Sequence, residues 1–93
     1  MKEWKPEMLA VSRAGHDKDT LYLVLESDGE FLWLADGKRR LLETPKKKKR
    51  KHVQVIAHLP DEILDQMQRI TLDAHVRKLL ADYRRMQEMK QQF

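Results

Sequence analysis

The chain has no cysteine, only three glycines and three prolines, and only 6% aromatic residues among its 93. Without cysteine it forms no disulfide and offers no thiolate nucleophile, so a cytoplasmic location is expected. No apolar run approaches the roughly 20 residues that span a bilayer. The N-terminus also lacks the apolar centre of a signal peptide. The sequence therefore predicts a cytoplasmic protein with no membrane segment.

The sequence also lacks the residue patterns typical of catalytic, metal-binding and phosphate-binding sites. The four histidines lack metal-ligand spacing, and three glycines are too few for a glycine-rich phosphate loop. Ser12 and Ser27 have no nucleophile-elbow context, and the carboxylates are scattered along the chain. We therefore expect no enzyme, no metal, no cofactor and no small-molecule substrate.

The cations, by contrast, are concentrated. Residues 38–52 hold nine Lys or Arg and one acid, a net charge of +8, although the whole chain is only +4. Six consecutive cations, Lys46–Lys51, follow Pro45, and we call them the basic run. Adjacent like charges repel each other and destabilise a compact state, so such a run is most easily explained by an anionic partner. A single basic patch on a neutral-to-acidic body is thus predicted.

The first half of the chain predicts short antiparallel strands. Apolar, β-branched and aromatic segments separated by Gly-containing turns predict strands over 8–13, 20–26, 31–35, 38–42 and 53–56. Asp28-Gly29 and Asp36-Gly37 are typical of tight turns with positive φ. The basic run then lies in a loop, 44–52, between the last two strands. Five such strands favour a small, strongly bent sheet or barrel.

The second half predicts helices. Residues 59–67 indicate a short helix with Pro60 and acids near its start. A longer amphipathic helix is expected from Thr71–Asp73 to about Met89. Its apolar stripe comprises Leu72, Val76, Leu79, Leu80, Tyr83 and Met86. The expected organisation is an N-terminal extension (1–7), a barrel (8–57) and a helical extension (58–93) that packs on the barrel.

Four segments, taken in order, resemble a known family. Val11–Lys18 resembles the strand and loop of a KOW motif. Leu34–Lys38, then Leu41–Glu43, then Pro45–Lys48 resemble bacterial KOW-domain proteins, which are similar to large-subunit ribosomal protein fourteen of archaea and eukaryotes. The resemblance covers roughly residues 8–56. It implies an SH3-like five-stranded barrel that binds RNA, with ribosomal RNA as partner and ribosomal proteins as neighbours.

One position departs from that family's pattern. Asp19 stands where the family usually has a turn glycine. Aspartate enters left-handed conformations more readily than most residues, so the fold tolerates it. Its negative charge nevertheless weakens the case for phosphate contact by this loop.

The candidate RNA-contacting residues fall into three groups. The basic run supplies Lys46, Lys47, Lys48, Lys49, Arg50 and Lys51, and engagement of about four of them with single-stranded RNA gives a log–log salt slope of roughly −3. The predicted fourth strand supplies Lys38, Arg39 and Arg40, with the two arginines on opposite faces. Cross-strand pairing of these arginines with Asp28 or Glu30 is the alternative. The resemblance adds Arg13, His16 and Lys18, for which a solvated turn is the alternative.

Aromatic and helical residues leave further alternatives open. Phe31, Trp33 and Tyr22 could stack on bases, but their apolar strands favour core positions, above all for Trp33. The position of Trp4 is undecided. On the long helix, Arg77, Lys78, Arg84 and Arg85 form either a second phosphate-binding face or a solvent face paired with acids such as Asp82.

The function expected from these features is non-catalytic RNA binding by a ribosomal or ribosome-associated protein. Two alternatives remain. Residues 45–51 could be a nuclear import signal recognised as an extended peptide, or the SH3-like barrel could be a protein-interaction module with an exposed helix stripe. For the basic run itself, we expect alanine substitution to abolish most RNA affinity and to leave thermal stability equal or slightly higher.

Overall fold

The computed structural model describes residues 4–91 as a curled antiparallel sheet followed by two helices. The strands are β1 (Met8–Ser12), β2 (Leu21–Ser27), β3 (Phe31–Ala35), β4 (Lys46–Lys49) and β5 (Val53–Ile56). The helices are α1 (Asp61–Met67) and α2 (Asp73–Gln91), and a 3-10 turn at Arg50–His52 joins β4 to β5. The predicted class, five strands in an SH3-like curl with C-terminal helices, is confirmed. Residues 1–3 of the expected N-terminal extension lie outside the described residues.

The strands form one sheet in the order β4-β3-β2-β1-β5. It is an open half-barrel, with β4 and β5 as its two edges. A bulge in β2 places Val24 opposite Leu34 but Glu26 opposite Trp33, so Leu25 has no partner of its own. Such an extra residue bends the strand and increases its twist. This bend helps to curl the sheet.

The two faces of the sheet bury different clusters. The inner face holds Ala10, Tyr22, Val24, Leu32 and Leu34, which pack together inside the curl. The opposite face, here called the helix face, buries other residues of the same strands against α1 and α2. These are Leu9, Leu21, Leu23, Leu25 and Ala35 from the sheet, with Leu59, Ile63, Met67, Val76, Leu79 and Leu80 from the helical region. Strands buried on both faces explain the continuous apolar sequence of β2.

The predicted helices are confirmed with small changes at their ends. Pro60 precedes the first residue of α1, and acids occupy its first turn, as expected from the helix dipole. The stripe of α2 packs on the sheet through Val76, Leu79 and Leu80. Leu72 was expected in this stripe, but it precedes the helix and is 59% exposed. Across residues 4–91, the helices are too short or too polar to cross a membrane.

The predicted fourth strand is wrong, and its place is taken by the basic run. Residues 38–42 are turns and an isolated bridge, and β4 consists of Lys46–Lys49 paired with β3. The predicted basic loop 44–52 is therefore mostly a strand and a 3-10 turn. Propensity misled because lysine is depleted in strands, whereas its long apolar stem fits a sheet edge.

Of the two predicted Asp-Gly turns, the one at Asp28-Gly29 differs from expectation. Gly29 does not adopt positive φ; instead the Asp28 carboxylate accepts hydrogen bonds from the N–H groups of Glu30 and Phe31 at 2.8 and 2.7 Å. Gly37 does have positive φ, +79°. Asp19 also lies in the left-handed region, with φ of 73°, as its place in the turn predicted.

Candidate nucleic-acid interface

The alternation of β4 divides its four lysines between two environments. In the order Lys46 to Lys49, their Cα partners on β3 are Leu34, Trp33, Leu32 and Phe31. Opposite residues of an antiparallel pair share a face, so Lys46 and Lys48 lie with the leucines of the inner face. Lys47 and Lys49 lie with the aromatic residues on the helix face. Uniform sequence thus produces two kinds of lysine.

The inner lysines converge on one carboxylate, that of Asp17 in the β1–β2 loop. Lys46 Nζ donates to Oδ2 at 2.8 Å and Lys48 Nζ to Oδ1 at 2.7 Å. Ser12 Oγ and Tyr22 Oη donate to the same carboxylate at 2.9 and 2.8 Å. Only 14% of the Asp17 side chain and 9% of that of Lys48 are exposed. The result is a shielded ion cluster that fastens the β1–β2 loop to the sheet edge.

The cluster shifts the titration of two of its members. Burial alone would raise the pKa of Asp17, but donation by Lys46, Lys48, Tyr22 and Ser12 outweighs it and holds that pKa well below its usual range. Burial together with the adjacent Asp17 charge raises the pKa of Tyr22 far above its ordinary value. Asp17 is therefore ionised, and Tyr22 remains a neutral donor, over the whole physiological range.

The other four cations of the run remain exposed. These are Lys47, Lys49, Arg50 and Lys51, here called the exposed cations. Lys47 Nζ lies 4.2 Å from the ring centre of Phe31 and 5.5 Å from that of Trp33. The charges of Lys47 and Arg50 also act on Asp28, although its two backbone hydrogen bonds are the main reason for its lowered pKa. Lys47 and Arg50 therefore lie near the β2–β3 turn.

The β1–β2 loop brings its predicted residues next to the same edge. Lys48 Nζ donates to the Ala14 carbonyl at 2.7 Å, so the loop and β4 are in direct contact. His16 and Lys18 are exposed on this loop. Arg13 is exposed but engaged, since it donates to Gln54 and pairs with Asp19 at 3.5 Å. Of the three, His16 and Lys18 are the more accessible.

The β3–β4 loop presents Lys38, Arg39 and Arg40 to solvent. The Asp36 carboxylate accepts hydrogen bonds from all three of their backbone N–H groups at 2.9–3.0 Å. The predicted placement of the arginines on opposite strand faces is wrong, because this segment is a loop. Asp28 and Glu30, their expected acidic partners, lie at the other end of β3.

Contacts with α2 hold this loop in place. The Asp73 carboxylate accepts from the Leu42 N–H at 2.8 Å, and Arg77 donates to the Gly37 carbonyl at 2.6 Å. A Cβ at Gly37 would lie 2.5 Å from the Asp73 carbonyl oxygen, so the approach requires glycine. The loop leads into β4, and the strand pairing places it at the same end of the sheet as the β1–β2 loop.

The aromatic residues separate into three situations. Tyr22 is buried and bonded to Asp17, so it is no platform for bases. Trp4 packs against the cluster on the helix face, near Leu64 and Met67. Trp33 and Phe31 are only partly buried and, among the described residues, belong to neither hydrophobic cluster. The predicted core position of Trp33 is therefore wrong.

Two cations of α2, Lys78 and Arg85, pair with an acid of the same helix. Lys78 and Arg85 contact the nearly buried Asp82 carboxylate at 2.7 and 2.9 Å, and Gln66 donates to it from α1. These hydrogen bonds, led by that of Lys78, lower the pKa of Asp82. The arrangement supports the salt-paired solvent face rather than a second phosphate-binding face.

The predicted contact residues thus follow β4 and the loops at one of its ends, except for Lys46 and Lys48, which turn inward. No protein-family model and no curated protein matches the chain.

Proposed function

We propose that the chain is a non-catalytic RNA-binding protein, of the ribosomal or ribosome-associated kind that its KOW-like segments suggest. The observation that supports this most is the position of the exposed cations. Lys47, Lys49, Arg50 and Lys51 face solvent on a fixed strand and turn. Flexible cations on a rigid support contact phosphates without selecting a base sequence.

The two loops at the start of β4 extend this surface beyond that end of the strand. Lys38, Arg39 and Arg40 are presented by a loop that Asp36 and α2 hold in place. His16 and Lys18 are presented by the loop that the Asp17 cluster fastens to β4. A phosphate backbone lying along β4 meets cations at the strand and beyond its end.

The ion cluster sets the expected salt dependence. Each phosphate neutralised on single-stranded RNA contributes about −0.7 to the slope of log K against log salt. Within the run, binding by the four exposed cations alone gives a slope of about −2.8, whereas engagement of all six gives about −4.2. Because the loop cations would add to the slope, the measurement uses a variant in which Lys18, Lys38, Arg39 and Arg40 are glutamine. A slope near the smaller value, measured by fluorescence anisotropy between about 50 and 200 mM salt, supports the division of the run.

A charge-matched pair of variants tests the location of the site. In the first, Lys47, Lys49, Arg50 and Lys51 are replaced by glutamine. In the second, four exposed cations outside the proposed surface, Lys5, Arg69, Arg84 and Lys90, are replaced by glutamine. Both lower the formal charge from +4 to zero. We expect the first to lose most of its affinity for labelled RNA and the second to keep it; equal losses, or no binding by the wild type at low salt, overturn the proposal.

The arrangement argues against the alternatives. An import receptor needs the basic segment as a free extended peptide, but β4 is hydrogen-bonded to β3 and two of its lysines point at Asp17. A peptide-binding module with an exposed helix stripe requires α2 to leave the sheet, and α2 instead packs on it.

A further inference from the structure

We infer, on the basis of the proposed RNA binding, that Phe31 and Trp33 form a stacking platform for unpaired bases, and that the RNA is therefore single-stranded where it crosses β3 and β4. The inference starts from the position of the two rings. They alternate with Leu32 and Leu34, which are completely buried on the inner face. Both rings consequently lie on the helix face.

The two rings lie outside the cluster that the helices bury on this face. Ala35, the next residue of β3 on the same face, is buried in the cluster formed with α1 and α2. Trp33 and Phe31 follow at successive pleats, about 6.8 Å apart along the strand, and remain partly exposed. Two adjacent aromatic rings that pack in neither cluster have the form of a platform for flat ligands.

The charges on either side define the class of ligand. On the β4 side, Lys47 and Lys49 are the cross-strand partners of Trp33 and Phe31. On the β2 side, the partner of Trp33 is the acid Glu26. A phosphate backbone is attracted to the cations on the β4 side, so bases attached to it extend over the rings. A base-paired duplex cannot do this, because its bases stack on each other.

The contact of Lys47 with the rings does not prevent stacking. An exposed cation–π contact favours its closed form by only about 2- to 5-fold. Stacking of a base on an aromatic side chain is worth about 5- to 150-fold in affinity. An incoming base therefore displaces the ammonium group, which then becomes available to a phosphate.

The test compares two labelled probes with the same number of phosphates: a short oligouridylate and an abasic ribose-phosphate oligomer. We expect the wild type to bind the oligouridylate at least about 5-fold more tightly. The variant with Phe31→Leu and Trp33→Leu should bind both probes equally and keep the wild-type salt slope, since no charge changes. Equal binding of both probes by the wild type overturns the platform and leaves the proposed RNA binding intact; binding of neither probe overturns both.

A second measurement does not depend on the folding of the double variant. The chain has two tryptophans, and Trp4→Phe leaves Trp33 as the only one. Stacking of a base on Trp33 should quench its fluorescence upon addition of oligouridylate and leave it unchanged with the abasic oligomer. Binding seen by anisotropy without quenching by oligouridylate contradicts the inference.

Discussion

The two lysine pairs of β4 should behave oppositely when they are removed. Lys46→Ala with Lys48→Ala takes both cations from Asp17, whose side chain is only 14% exposed. Removing the partner of a buried charge costs about 3–5 kcal/mol. Because Ser12 and Tyr22 still donate to the carboxylate, we expect the lower end, about 3 kcal/mol of unfolding free energy.

The matched variant, Lys47→Ala with Lys49→Ala, removes the same charge from the other face. It loses the exposed cation–π contact of Lys47 with Phe31 and, at longer distance, Trp33, worth about 0.5–1 kcal/mol in all, and gains relief of repulsion. We therefore expect a loss below about 1 kcal/mol. At about 4–8 °C per kcal/mol, the first variant should melt about 12–24 °C below the wild type. The second should melt within about 8 °C of it.

Circular dichroism melts of the three proteins measure this difference directly. A third substitution, Asp17→Asn, should destabilise the wild type but not the Lys46→Ala, Lys48→Ala variant, in which the unpaired charge is the problem. Equal melting temperatures for the two lysine pairs would refute the reasoning. The expectation from sequence, that alanine throughout the run leaves thermal stability equal or slightly higher, is accordingly dropped for Lys46 and Lys48.

Three further predictions concern titration and backbone conformation. Because the pKa of Asp17 is lowered in the folded state, its ionised carboxylate stabilises the fold above the unfolded pKa of about 3.9, and this stabilisation is lost on acidification. The melting temperature should therefore fall from about pH 5 downward, and the difference in melting temperature between the wild type and Asp17→Asn should become smaller. A difference that stays constant with pH contradicts this. Gly37→Ala should lose more than about 2 kcal/mol in denaturant titrations, and Gly29→Ala, with open space around it, less than about 0.5; similar losses would show that α2 does not require glycine at position 37. Asp19→Val should be about 1–2 kcal/mol less stable than Asp19→Gly, and equal stability would contradict the left-handed turn.

The sequence predicted those elements whose patterns are local. Strands β3 and β5 have the predicted bounds, and β1 and β2 shift by a single residue at one or both ends. Apolar spacing located α2, because helical periodicity extends over many residues. The prediction for Leu72 was wrong because apolar spacing locates the stripe of a helix but does not identify the first residue of the helix.

The basic run could not be placed in the same way. Four identical residues contain no alternation, so nothing in Lys46–Lys49 shows which side chains turn inward. The acid that separates them, Asp17, is 29 and 31 residues away from its lysine partners in sequence. Trp33 was assigned to the core for a related reason, since sequence does not show where the cover supplied by α1 and α2 ends.

The edge strand β4 consists of lysine alone, and this affects how copies of this chain associate with each other. Within residues 4–91, β4 has a single neighbouring strand, so its other side offers unpaired backbone groups to any approaching edge. A second β4 would bring four more positive charges to that line, which opposes intermolecular sheet growth. A bound polyanion neutralises this protection, so self-association through open edges should be most favourable when RNA is abundant and the protein is nearly saturated with it.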